Sequence, residues 1–173
     1  TLVRWREGVV TDVTPPGSNV RTRVHEYGGG AYLVAGGVVY FSHFADSRLY
    51  RIAAGGATPE PITTEAALRY ADMELDARRQ RLLCVREDHR AGEVVNTIVE
   101  IDLRAGPTAG RVLVSGTDFY AAPRLSPDGT RLAWVQWHHP DMPWDSTELW
   151  VGRIAEDGGV VGAERVAGGR DES

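Results

Sequence analysis

Tyr120-Ala121-Ala122-Pro123-Arg124-Leu125-Ser126-Pro127-Asp128-Gly129-Thr130-Arg131-Leu132-Ala133-Trp134-Val135 is the stretch that decides the fold. A tyrosine opens one strand-like run, Ser126-Pro127-Asp128-Gly129-Thr130 makes a tight turn, and Leu132 to Val135 starts a second run. Proline presets one φ angle of such a turn and glycine accepts a positive one. The arrangement recurs. Twelve positions after Tyr27, Tyr70 and Tyr120 stand the apolar residues Val39, Leu82 and Leu132. Their neighbours match too: Tyr40-Phe41, Leu83-Cys84-Val85 and Ala133-Trp134-Val135. Another strand-like run follows in each copy, at Leu49 to Ile52, Ile98 to Ile101 and Leu149 to Val151. The tyrosines lie 43 and then 50 residues apart. Self-similarity at that period is the signature of repeated β units, about four strands to a propeller blade.

Working outward, the expected fold is all-β: a partial β-propeller of about three four-stranded blades plus a piece of a preceding blade. Residues 1–24 read as the end of an earlier unit, with strands near Leu2 to Trp5 and Val9 to Val13 and a turn at Glu7-Gly8. Blades are expected over 25–65, 68–116 and 117–168, and 169–173 reads as the start of a next one. Ala35-Gly36-Gly37 reads as a hairpin turn, and Asp76 to Gln80 as its counterpart in the next copy. Glu87 to Val94 and His138 to Ser146 are the long loops. Several strands, such as Leu132 to Val135 and Val38 to Phe41, are apolar on both faces, as a strand is when both sides of its sheet are covered. Thr64 to Met73 is the one stretch read as a short helical turn. Three units and a part do not close a ring. The open end sheets are therefore expected to associate or to find compensating contacts.

The 173 residues are 42% hydrophobic and 25% charged, ordinary for a globular chain. A formal charge of −5 argues against a nucleic-acid partner. No apolar run approaches the roughly 20 residues of a membrane span, so no membrane partner is expected. No signal peptide opens the chain, and a cytoplasmic location is the expectation for it. There is no initiating methionine, so that expectation does not extend to a parent protein. All 19 basic residues are arginine, which by itself assigns no role. Cys84, the only cysteine, lies in an apolar run and reads as a buried inert thiol.

The search for chemistry yields no catalytic residue, cofactor site or metal site. No Gly-x-Ser-x-Gly elbow is present, and the serines fall in loop or turn contexts. His138-His139-Pro140-Asp141 gathers possible metal ligands, but a structured loop packed by Trp137 and Trp144 is the favoured reading. Gly28-Gly29-Gly30 lacks the spacing of a phosphate loop and reads instead as close backbone packing on an inner strand. The tryptophans Trp134, Trp137 and Trp150 belong to the core of the repeated strands. Arg21, Arg23, His25 and Glu26 stand along an apparent strand, where they could line a channel or pair between blades. With His138 and His139 they are the residues expected on any substrate side.

Three segments carry a resemblance. Asn19-Val20-Arg21-Thr22-Arg23-Val24-His25-Glu26-Tyr27-Gly28-Gly29-Gly30-Ala31-Tyr32 is similar to a segment of bacterial members of the prolyl oligopeptidase family, those termed dipeptidyl aminopeptidase or acylaminoacyl peptidase. His139-Pro140-Asp141-Met142-Pro143-Trp144-Asp145-Ser146-Thr147-Glu148-Leu149-Trp150 resembles another segment of the same serine peptidases. Leu125 to Gly129 is the blade turn they share with TolB-like propellers. The resemblance implies an N-terminal propeller over a C-terminal α/β-hydrolase domain that supplies the catalytic residues, with the propeller admitting only short peptides. None of those catalytic residues has a counterpart in this chain, so the chain alone is expected to be noncatalytic and its parent a serine peptidase. The resemblance further suggests that an acidic residue, such as Glu172, meets a peptide amino terminus in the complete protein. Two other readings stay open: a TolB-like protein-interaction module, and a metal-dependent propeller lactonase.

Overall fold

The computed structural model describes residues 1–169, and among them every regular element is a β-strand. Two short strands, β1 (Val3–Arg6) and β2 (Val9–Asp12), form a hairpin. Three four-stranded antiparallel sheets follow, each a meander in chain order. The first sheet is β3 (Tyr32–Ala35), β4 (Val38–Ser42), β5 (Leu49–Ile52) and β6 (Glu60–Pro61). The middle sheet is β7 (Leu68–Asp76), β8 (Arg81–Asp88), β9 (Val95–Asp102) and β10 (Arg111–Val114). The third sheet is β11 (Phe119–Leu125), β12 (Arg131–Trp137), β13 (Glu148–Ile154) and β14 (Val160–Gly168). The chain is a partial β-propeller, as its repeats indicate.

The sheets lie face to face, and the strands show it residue by residue. Successive side chains of a strand point to opposite faces. On β8, Leu82 and Cys84 join the core shared with Tyr40 and Leu49 of the first sheet. Leu83 and Val85, the residues between, join the core shared with Tyr120, Leu132 and Trp134 of the third. All four are wholly buried. A smaller cluster of Val39, Phe41 and Ile52 receives Leu2 and Val13 from the ends of the β1–β2 hairpin. Burying each such aliphatic side chain contributes about 1.5–3 kcal/mol before entropy is subtracted.

The turns follow the sequence. Gly36 and Gly37, at φ 57° and 79°, make the two-residue link between β3 and β4. Asp128 closes the β11–β12 turn by accepting from the Ser126 hydroxyl at 2.6 Å and the Thr130 amide at 3.0 Å. Those bonds, the Ser126 hydroxyl first, hold its carboxyl at about 2.

Two expectations are corrected. Thr64 to Met73 contains no helical turn: Leu68 begins the nine-residue β7. The misleading spacing comes from a β-bulge between Ala71 and Glu74, where Asp72 takes φ 55° and breaks the two-residue period. The third sheet carries the equivalent bulge at Ala122, φ 48°. Tyr27 is also not the equal of Tyr70 and Tyr120. Those two are buried in β7 and β11, whereas Tyr27 lies in a turn at 58% exposure, ahead of β3. The alignment holds at Val39, Leu82 and Leu132, the second residues of β4, β8 and β12.

Candidate functional site

The chain does not pass straight from the hairpin into the first sheet. Val20 bridges His43, and the Phe44 amide donates to the Asn19 carbonyl at 2.9 Å, so the segment starts beside β4. It then crosses to the middle sheet and returns at Ala31, whose carbonyl accepts from the Ser42 amide at 2.8 Å. Residues 20–30 thus form a strap. Two tight bonds shape it, Glu26 N–H to Arg23 O and Gly28 N–H to Val24 O, both 2.9 Å. They need left-handed backbone at His25 (φ 56°) and Glu26 (φ 63°).

Val24 anchors the strap, 1% exposed in the core between the middle and third sheets. Two carboxylates of the middle sheet hold the backbone. Glu87 accepts from the His25 amide and Asp72 from the Gly30 amide, each at 2.5 Å. Asp72 also accepts from the Ala122 amide at 2.9 Å and so ties the strap to the third sheet. A Cβ at Gly30 would lie 2.9 Å from the Asp72 carboxylate, which explains the glycine. The expected inner strand is absent at Gly28-Gly29-Gly30, but the close approach is present.

Beside the strap lies a cleft of about 380 Å³, lined by His25, Glu26, Glu87, His89, Val94, Asn96, Asp118, Phe119 and His139. The His25 ring meets Phe119 and Trp137 edge-on, at 5.5 and 5.1 Å between centroids, and those two rings stack on each other at 5.3 Å. Its Nε2 is buried without a hydrogen-bond partner. Burial lowers the His25 pKa, outweighing the nearby charges of Glu87 and Asp72, which pull the other way. Arg69 reaches Glu26 at 2.5 Å, the Arg23 carbonyl at 3.0 Å and Glu87 at 3.4 Å. Its hydrogen bond holds Glu26 below the usual carboxylate range. Glu87, whose side chain is 5% exposed, also faces His89 Nε2 at 3.1 Å. The Asp118 carboxylate accepts from the His139 amide at 2.9 Å and lies 3.6 Å from His138 Nδ1.

The structure therefore brings His25, Glu26 and His139 to one cleft, with His138 beside Asp118 at its edge. It parts them from Arg21 and Arg23, whose guanidinium groups cover the Phe44 ring at 4.9 and 4.7 Å. Glu172 lies outside the described residues. Among the described residues no three His, Cys, Asp or Glu side chains converge as metal ligands. Cys84 is buried, and burial pushes its thiol up to about 12. Arg69, Asp72, Glu87, His89, Asp118 and Phe119 are parts of this site that sequence reasoning missed. The repeat register held one clue: His89 follows Leu82 by seven positions, and His139 follows Leu132 by seven.

At the opposite rim an ion-pair network ties the middle sheet to the third. Asp76 binds Arg81 at 3.0 Å and Arg79 at 3.1 Å, and Arg81 also pairs with Glu100. Arg81 donates on to the Gly158 carbonyl at 2.7 Å, and Arg78 and Arg79 donate to the carbonyls of Asp128 and Gly129, each at 3.0 Å. These contacts fasten turns and offer no reactive group.

Comparison with solved structures places these features in context. A puromycin hydrolase is 36% identical over 98% of this chain, with a TM-score of 0.88. A mutant of it complexed with PGG superposes with a TM-score of 0.89. A puromycin-hydrolyzing peptidase of Mycobacterium tuberculosis is 43% identical over 96% of this chain, with a TM-score of 0.86. The chain spans only 28–29% of the length of these proteins. TolB of Acinetobacter baumannii, 16% identical over 76% of this chain and 30% of its own, with a TM-score of 0.51, shares the fold. No protein-family model and no curated protein matches the chain.

Proposed function

Because the chain corresponds to the propeller portion of a prolyl oligopeptidase-family peptidase, we propose that it is a noncatalytic part of a serine peptidase, covering the active site of an α/β-hydrolase domain supplied elsewhere in the parent. It would restrict entry to short peptides. One observation carries it. The two segments that resemble the peptidases most specifically, 19–32 and 139–150, lie far apart in sequence yet contribute His25, Glu26 and His139 to a single cleft. A TolB-like interaction role draws only on a shared fold, and a lactonase would need converging metal ligands.

The test compares this chain, the full-length parent and the parent lacking its propeller, on a dipeptide amide and on a peptide of about 20 residues. The expected result is no hydrolysis by this chain, cleavage of the short substrate alone by the parent, and loss of that length discrimination without the propeller. A parent that contains only further blades, or one that cleaves both substrates equally, would overturn the proposal.

A further inference from the structure

We propose that residues 20–30 form an acid-released strap: protonation of His25 undocks the segment from the middle and third sheets and opens one wall of the cleft. The geometry is that of a latch with one ionisable pin. Val24 is the most deeply buried side chain of the strap, and the half-buried His25 ring next to it packs on Phe119 and Trp137 of the third sheet. The His25 amide is held by Glu87, and the ring is enclosed by Tyr27, Phe119 and Trp137. Its buried Nε2 has no acceptor. A proton added there would place a charge and an unpaired N–H in an aromatic enclosure, a costly arrangement.

Other ionisable groups face this point. Glu26 and Tyr27 do so from the strap, while Arg23 turns to the Phe44 ring; Arg69 and Asp72 belong to β7, Glu87 to β8, and His89 follows β8. Asp118 precedes β11, and His138 and His139 follow β12. Glu87 and Asp72 favour the imidazolium, but burial outweighs them. Docked His25 is thus the weaker base, while an undocked imidazole takes its proton near the ordinary 6.5. Docking is undisturbed above that pH. It weakens as the pH falls below it, by about tenfold for each unit until the docked ring itself protonates.

Hydrogen exchange of the full chain, corrected for intrinsic rate, tests this at about pH 7.5 and pH 5. Exchange within residues 19–31 is expected to accelerate severalfold at the lower pH, while β8 and β9 stay protected. His25→Asn, which tolerates positive φ and does not titrate there, is expected to abolish the pH dependence. Equal acceleration in H25N, or none in the unmodified chain, would overturn the proposal. If H25N fails to fold, an NMR titration of the unmodified chain decides: an imidazole of His25 titrating below 6.5 supports the strap, and one at or above that value contradicts it.

Discussion

The middle and third sheets read almost alike in sequence and are buried very differently. Leu82-Leu83-Cys84-Val85 of β8 and Leu132-Ala133-Trp134-Val135 of β12 occupy the same repeat positions. All four residues of β8 are buried, alternately in one core and the other. On β12, Leu132 and Trp134 are buried against the middle sheet, whereas Ala133 and Val135 are only half-buried. Leu149, paired with Val135 across the β12–β13 ladder, is 40% exposed. The same pattern of residues thus gives two outcomes because burial belongs to a pair of sheets. Among the described residues the middle sheet has a neighbour on each face, and the third on one.

The largest effect expected from that difference is electrostatic. Asp76 and Arg81 are paired inside the middle sheet with side chains only 2% and 4% exposed. Asp76→Asn breaks the buried pair and leaves Glu100 as the one carboxylate on Arg81, so it should cost about 3 kcal/mol in urea unfolding, the lower end for breaking such a pair. Arg165→Ala, which breaks a pair with Glu148 on the third sheet where Arg165 is 52% exposed, should cost about 0–1 kcal/mol. Equal costs would erase the contrast.

Core truncation comes next. Leu83→Ala should cost about 2–5 kcal/mol, and Val135→Ala about 0.5–1 kcal/mol, again by urea midpoint. Leu149→Lys sharpens the point, with a change within about 0.5 kcal/mol in this chain. A large loss there would mean that the outer face of the third sheet is already covered.

A smaller effect is the acid dependence. Burial works to raise Asp76, but hydrogen bonds from Arg81 and Arg79 outweigh it and hold the carboxyl below its ordinary value. Burial likewise works to raise Glu100, and Arg111 and Arg81 outweigh it. Groups depressed on folding contribute fully above their unfolded values, 3.8 and 4.5, and the contribution drains away as the pH falls through the folded ones. The unmodified chain should therefore lose more stability than Asp76→Asn between pH 5 and 3 on a series of urea titrations. Parallel losses would remove Asp76 from the account.

The strands were legible in the sequence because Leu82 to Val85 and their counterparts keep a fixed distance from a turn. The bulge at Asp72 was not, since one extra residue disrupts the two-residue period and imitates a helix. The strap hid for another reason. Tyr27 holds the right spacing to Val39, yet the chain spends residues 20–30 on neighbouring sheets, and no local pattern reports a contact 62 residues away such as that of His25 with Glu87. Half of the cleft was legible as unusual polar residues, His25, Glu26, His138 and His139. The other half, Arg69, Glu87 and Asp118, passed for ordinary strand ends and loops.

Cys84 offers the most direct test of the claim that the middle sheet is packed against the first. It is the only thiol, wholly buried between the first and middle sheets. In native buffer a thiol reagent should reach it only through openings as rare as global unfolding, so its protection should equal the equilibrium constant from urea denaturation. Modification at close to the rate of an unfolded peptide, with the chain still folded, would contradict the stacked arrangement.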